Sequence, residues 1–115
     1  TDLRRRLVAA VLSGAKTSTA SLLSDYHPAT GDPLPVVGDR HVVVDYSDQP
    51  VAVVETTELR VVPAAEVDLQ FAHDEGEGFE TVADWRAAHE RFWSGQAITD
   101  KTPIVCERFR LIKTV

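Results

Sequence analysis

The sequence predicts an α+β domain from three observations: helical spacing of apolar residues at the N-terminus, two β-branched runs in the middle, and a second helical stripe followed by an alternating run at the C-terminus. A chain of 115 residues reads as one domain over 1–115, long enough to bury roughly two-thirds of its unfolded surface. With 43% hydrophobic and 26% charged residues, neither a disordered nor a fibrous class fits.

Leu3, Leu7, Ala10 and Val11 recur at helical spacing behind a Thr1 or Asp2 cap, and Gly14 is placed to end that helix, so residues 2–13 are expected to be helical. A shorter helix is expected from about Ser18 to Tyr26, before "HPATGDPLPVVGD", whose prolines and glycines make a loop. The period then changes. "RHVVVDYSDQPVAVVETTELRVV" holds two strands, near 40–46 and 51–62, joined by the turn "SDQP". In the second, Val51, Val53, Glu55, Thr57, Leu59 and Val61 share one parity, which places Glu55 on the apolar side. After Pro63 comes a short helix or turn and an acidic loop with glycines. Thr81, with Asp84 three residues on, resembles a capping arrangement for a helix whose face carries Val82, Trp85, His89, Phe92 and Trp93 and which Gly95 ends. "PIVCERFRLIKTV" alternates as a closing strand, with Glu107 sharing parity with Val105, Phe109 and Leu111.

A formal charge of −6 and a pI near 5.1 argue against a broad cationic face for duplex DNA. If a nucleic acid is the partner, it is a nucleoside or a short single-stranded RNA held in a local pocket. The longest apolar run is too short for a membrane span, and the N-terminal apolar segment is too short for a secretory signal. The lone Cys106 allows no internal disulfide, and no Cys/His pair has ligand spacing, so the expected reading is a cytoplasmic protein with no metal and no cofactor. His89, on an apolar helix face, reads as a packed histidine, and Trp85 and Trp93 as core.

The chemistry-bearing stretch is "SGAKTSTASLL". On a helical turn, residues three apart share a side, so Lys16 and Thr19 would meet. A hydroxyl needs a base before it attacks, and a lysine serves when burial or a neighbouring charge lowers its pKa. In the acidic loop, Glu75 and Glu77 flank the flexible Gly76, and a carboxyl crowded by other acids keeps its proton to higher pH, as a general acid requires. Backbone N–H groups of residues 17–19 would hold an oxyanion, with Thr17 and Ser18 beside the substrate. Tyr26 at a loop edge is a stacking candidate, and Glu55, Glu107 and Arg108 on the strands are candidates for the pocket wall.

Together these blocks resemble the ASCH domain family of the PUA-like superfamily. "SGAKTSTASLL" is similar to the family's G-x-K-x-[ST]-[ST] stretch, "GDPLPVVGDRHVVVD" and "PVAVVETTELRVVP" to its loop and strands, and "VDLQFAHDEGEGFETVADWRAAHERFW" with "VCERFR" to its acidic loop, Trp-containing helix and closing strand, in the longer bacterial form. The resemblance implies a small β-barrel flanked by helices, with a cleft that faces RNA or a nucleoside. A short branch of the family removes the acetyl group from N4-acetylcytidine. Carried over, that likeness makes Lys16 the proton acceptor, Thr19 the nucleophile and Glu75, at the place of the family's A-x-x-E, the proton donor, with Glu77 the alternative. A longer member is described as a ribonuclease, and many PUA-like domains only bind. The implied functions are therefore an amidohydrolase, a metal-independent ribonuclease on single-stranded RNA, or a binding module.

Overall fold

The computed structural model describes residues 2–26 and 33–115, which form an α+β fold. The expected Thr1 cap, His27 and the first half of the proline-containing loop lie outside the described residues. The elements are α1 (Asp2–Ser13), β1 (Ser18–Leu22), β2 (Arg40–Val44), β3 (Pro50–Pro63), α2 (Leu69–Asp74), α3 (Val82–Phe92) and β4 (Pro103–Thr114). Short 3₁₀ turns follow β1 at Leu23–Asp25 and β3 at Ala64–Glu66.

All strands join one antiparallel sheet in the order β1-β4-β3-β2. The long β3–β4 ladder shifts register near Val53/Val54 and Thr56/Glu58, and such bulges sharpen twist and curl the sheet into a half-barrel. The β2–β3 hairpin turns on Asp45, whose carboxylate accepts from Ser47 N–H at 2.8 Å and Gln49 N–H at 3.0 Å, while Asp48 takes a positive φ of 60°.

Helices cover one face of the sheet. There Leu22, Ile104 and Cys106 pack with Phe71, Ala72, Trp85 and Trp93 in a single cluster. Both helix starts in this layer are capped: the Asp68 carboxylate accepts from Phe71 N–H at 2.7 Å, and the Thr81 hydroxyl from Asp84 N–H at 3.0 Å. Cys106 is a packing residue, for it is 2% exposed and burial pushes its thiol up to about 11, leaving almost no thiolate at neutral pH.

Two expectations are corrected. Residues 18–22 are a strand, not the start of a helix, because Ser18–Leu22 pair in continuous register with Arg108–Ile104 of β4. The ladder and the burial of Ser18 and Leu22 make the strand, and the β-branched Thr19 favours it over a helix. The inward parity of β3 is also the other one: Ala52, Val54 and Thr56 are buried, while Glu55 faces outward between Arg40 at 3.3 Å and Arg110 at 2.8 Å. Those guanidiniums hold the Glu55 carboxyl below its ordinary range, Arg110 first. A strand with β-branched residues on both parities does not declare its inner face, and here Ala52 and Thr56 take it.

Candidate functional site

The site forms where the turn after α1 meets the acidic loop after α2. Gly14, at φ +84°, ends α1, and Lys16 N–H returns to the carbonyl of Ala10 at 3.0 Å. Gly76, at φ +71°, then lies against this turn so closely that a Cβ would sit 2.8 Å from the Ala15 oxygen and the Lys16 nitrogen. No side chain fits there. Gly76→Ala is therefore expected to lower stability by about 2–3 kcal/mol through left-handed strain and overpacking, read as a fall in urea midpoint with unchanged m-value.

The clamp at Gly76 sets Glu75 and Glu77 beside Lys16. The Lys16 side chain is 8% exposed, and its amine donates to the carbonyls of Ser18 at 2.7 Å and Glu75 at 3.3 Å. Desolvation lowers its pKa, with the charges of Glu75 and Glu77 opposing. With two acceptors taken on the backbone side, the remaining valence of the nitrogen is left for the hollow that Lys16 lines.

Because the unfolded lysine titrates near 10.5 and the folded one lower, the unfolded chain binds the extra proton between those values. Stability from this group is complete above 10.5 and is lost as pH falls through the folded value. Urea unfolding of the wild type should show stability rising with pH across that window, with a smaller slope in Lys16→Met.

Glu75 is 2% exposed and its carboxylate is held by α3. Trp85 Nε1–H donates to Oε2. His89 Nε2 lies 3.3 Å from Oε1, and His89 Nδ1 lies 2.8 Å from the Trp85 carbonyl. A carbonyl only accepts, so Nδ1 carries hydrogen. Nε2 and Oε1 therefore share one proton or one cation, since otherwise two lone pairs would face each other. Trp85 stacks on the same imidazole, with centroids 4.3 Å apart, and fixes its plane.

Lys16, Thr19, Glu75, Glu77 and His89 line one hollow of about 260 Å³, with Leu3, Leu7, Phe79, Ala88 and Phe92 on its apolar side. A neighbouring hollow of about 320 Å³ shares Leu3, Leu7 and Glu77 and adds Arg6 and Gly76. Thr19 is reached from the edge strand β1, by its register opposite Glu107 and not by the helical spacing expected.

The other sequence-predicted residues lie elsewhere. Ser18 is buried and donates to the Phe71 carbonyl at 3.0 Å, and Thr17 N–H donates to the Asp74 carbonyl at 2.8 Å, so neither takes the expected substrate or oxyanion role with those groups. Tyr26 donates to Ser21 Oγ at 3.0 Å. Glu107 accepts from Thr56 Oγ1 at 2.6 Å, and Arg108 pairs with Asp74 at 2.7 Å. With Glu55 outside, none of these lines the hollow. The sequence reading missed Trp85 and His89 as partners of Glu75. Their spacing of four residues on one helical face was the available signal, because it points both toward whatever the helix covers.

The ASCH domain model matches residues 1–113. The chain belongs to the ASCH domain family. This ASCH domain is similar to a protein of known crystal structure from Enterococcus faecalis V583, at 30% identity and a TM-score of 0.82, over 95% of this chain and 68% of that one. It is also similar to the ASCH domain from Lactobacillus crispatus JV V101, at 29% identity and a TM-score of 0.80, over 91% and 69%. No curated protein matches. ASCH domains share a PUA-like fold often linked to RNA binding. Among the described residues, no helix is long and apolar enough to cross a membrane.

Proposed function

We propose that this ASCH domain is an amidohydrolase that removes the acetyl group from N4-acetylcytidine-type nucleosides. The observation that carries the reading is the meeting of Lys16, Thr19 and the Glu75–His89 pair around one hollow. Its volume of about 260 Å³ lies just below the usual range of ligand sites, roughly 300 to 1,000 Å³, and so suits one nucleoside rather than a strand.

In this reading the Lys16 amine, kept toward its neutral form by burial, takes the proton of the Thr19 hydroxyl as Oγ bonds to the acetyl carbonyl carbon. The tetrahedral intermediate collapses with cleavage of the C–N4 bond, and the proton shared by Glu75 and His89 goes to the departing amine of cytidine. Water then attacks the threonine ester, giving one proton to the Glu75–His89 pair. The ester oxygen recovers its proton from Lys16, and acetate leaves. The sum is amide plus water to amine plus acetic acid. Phe79 and Phe92 give the base an apolar, aromatic wall.

The test is incubation with N4-acetylcytidine and chromatography of the products. Cytidine and acetate in equal amounts support the reading. Nucleoside recovered intact after hours of saturated binding would favour a binding module, and cleavage of single-stranded RNA without deacetylation a ribonuclease.

A further inference from the structure

The geometry points to a divalent-cation site made by Glu75, Glu77 and His89, of a kind that takes Zn²⁺ or Mn²⁺. One ligand atom from each of these residues lies within 4.8 Å of the others. The tighter pair is already at chelating separation: two ligands about 2.1 Å from one metal stand roughly 3.0–3.4 Å apart in octahedral or tetrahedral geometry, and His89 Nε2 is 3.3 Å from Glu75 Oε1.

A second observation, beside the cluster itself, is the orientation of His89. Its Nδ1–H is committed to the Trp85 carbonyl, so the Nε2 lone pair is directed at a carboxylate oxygen, with His89 8% and Glu75 2% exposed. Two buried acceptors face to face need a positive centre between them. A proton supplies it in one state and a metal ion in the other. The outer contacts are those that orient metal ligands: a backbone carbonyl accepts from the far nitrogen of the histidine, and the Trp85 indole N–H donates to the far oxygen of Glu75. The hydrogen bonds of the Lys16 amine go to the backbone oxygens of Ser18 and Glu75, which leaves the carboxylate oxygens free of it. Glu77, exposed and lining the hollow, supplies the third ligand atom and leaves the remaining positions open to water. One imidazole and two carboxylates suit Zn²⁺ or Mn²⁺ better than the all-oxygen sites of Mg²⁺ or Ca²⁺. The two glutamates and the histidine come from a loop and a helix, so no sequence spacing announces the site.

The test is calorimetric titration of metal-free protein with Zn²⁺, and with Co²⁺ followed by visible absorption. The expected result is one equivalent per chain with a tetrahedral or five-coordinate Co²⁺ spectrum. Glu77→Gln, at an exposed position, keeps the fold and is expected to weaken Zn²⁺ binding about tenfold or more, and His89→Gln likewise. Trp85→Phe, which removes the outer donor and keeps most of the ring, should weaken it by roughly 10–100-fold. Absence of binding, or binding that both ligand variants leave unchanged, overturns the site. Binding is read without turnover, so a failure of the deacetylase reading leaves this result independent.

Discussion

Lys16→Met is expected to cut kcat/KM for N4-acetylcytidine by about 10²–10⁴-fold, the range general-base assistance contributes, with KM changed little. Methionine keeps the stem that fills the turn and removes the amine. Two effects on stability then oppose each other. The carbonyls of Ser18 and Glu75 lose a donor, at about 1–3 kcal/mol each if left dry, while a cation whose desolvation disfavours it is no longer buried. The net shift should stay within about 2 kcal/mol, small enough for the variant to be assayed folded. Thr19→Ala should be as inactive as the double variant, because a nucleophile and its base act as one unit and their losses do not add. Rates measured on folded protein check both points. Full activity in either single variant contradicts the roles given to them.

Trp85→Ala is expected to be the most destabilising substitution in the chain, at about 3–5 kcal/mol for the lost ring and a further 1–3 kcal/mol for the stranded carboxylate of Glu75. Trp85 is 0% exposed and sits where the packing core and the site join: its ring lies in the cluster with Phe71, Trp93 and Ile104, and its N–H holds Glu75. Small domains have only about 5–15 kcal/mol in total, so a large unfolded fraction is expected in buffer. Trp85→Phe separates the two terms, since it keeps most of the ring and loses the donor. Urea unfolding of both variants should place Trp85→Phe between wild type and Trp85→Ala. Equal midpoints for the two variants would mean that the indole N–H, and not the ring, carries the effect.

Periodicity is enough to locate α1, α3 and β4, and β-branched runs on either side of a turn locate β2 and β3. β1 is not legible in this way. Its five residues, STASL, carry no periodic signal, and only the pairing with β4 makes them a strand. The face of β3 is hidden for a similar reason: valines stand on both parities, and only packing shows that Ala52, Val54 and Thr56 are the inward set. Within the site, Lys16, Thr19 and Glu75 are named by the family resemblance, whereas the surroundings of Glu75 come from tertiary contact alone. An exposed pair such as Glu55 and Arg110 looks as chemical in the sequence as Glu75 and His89 do. Burial separates them: water screens the first pair, and the second must share one positive charge in a dry place.

The central claim is that Thr19 becomes acetylated while Lys16 accepts its proton. Rapid acid quench of the protein with excess N4-acetylcytidine, followed by peptide mass spectrometry, tests it most directly. The account predicts one acetyl group on the peptide containing Thr19, formed no more slowly than cytidine and missing in Thr19→Ala and Lys16→Met. Cytidine released at the wild-type rate by Thr19→Ala, or an acetyl group found on another residue, would contradict it.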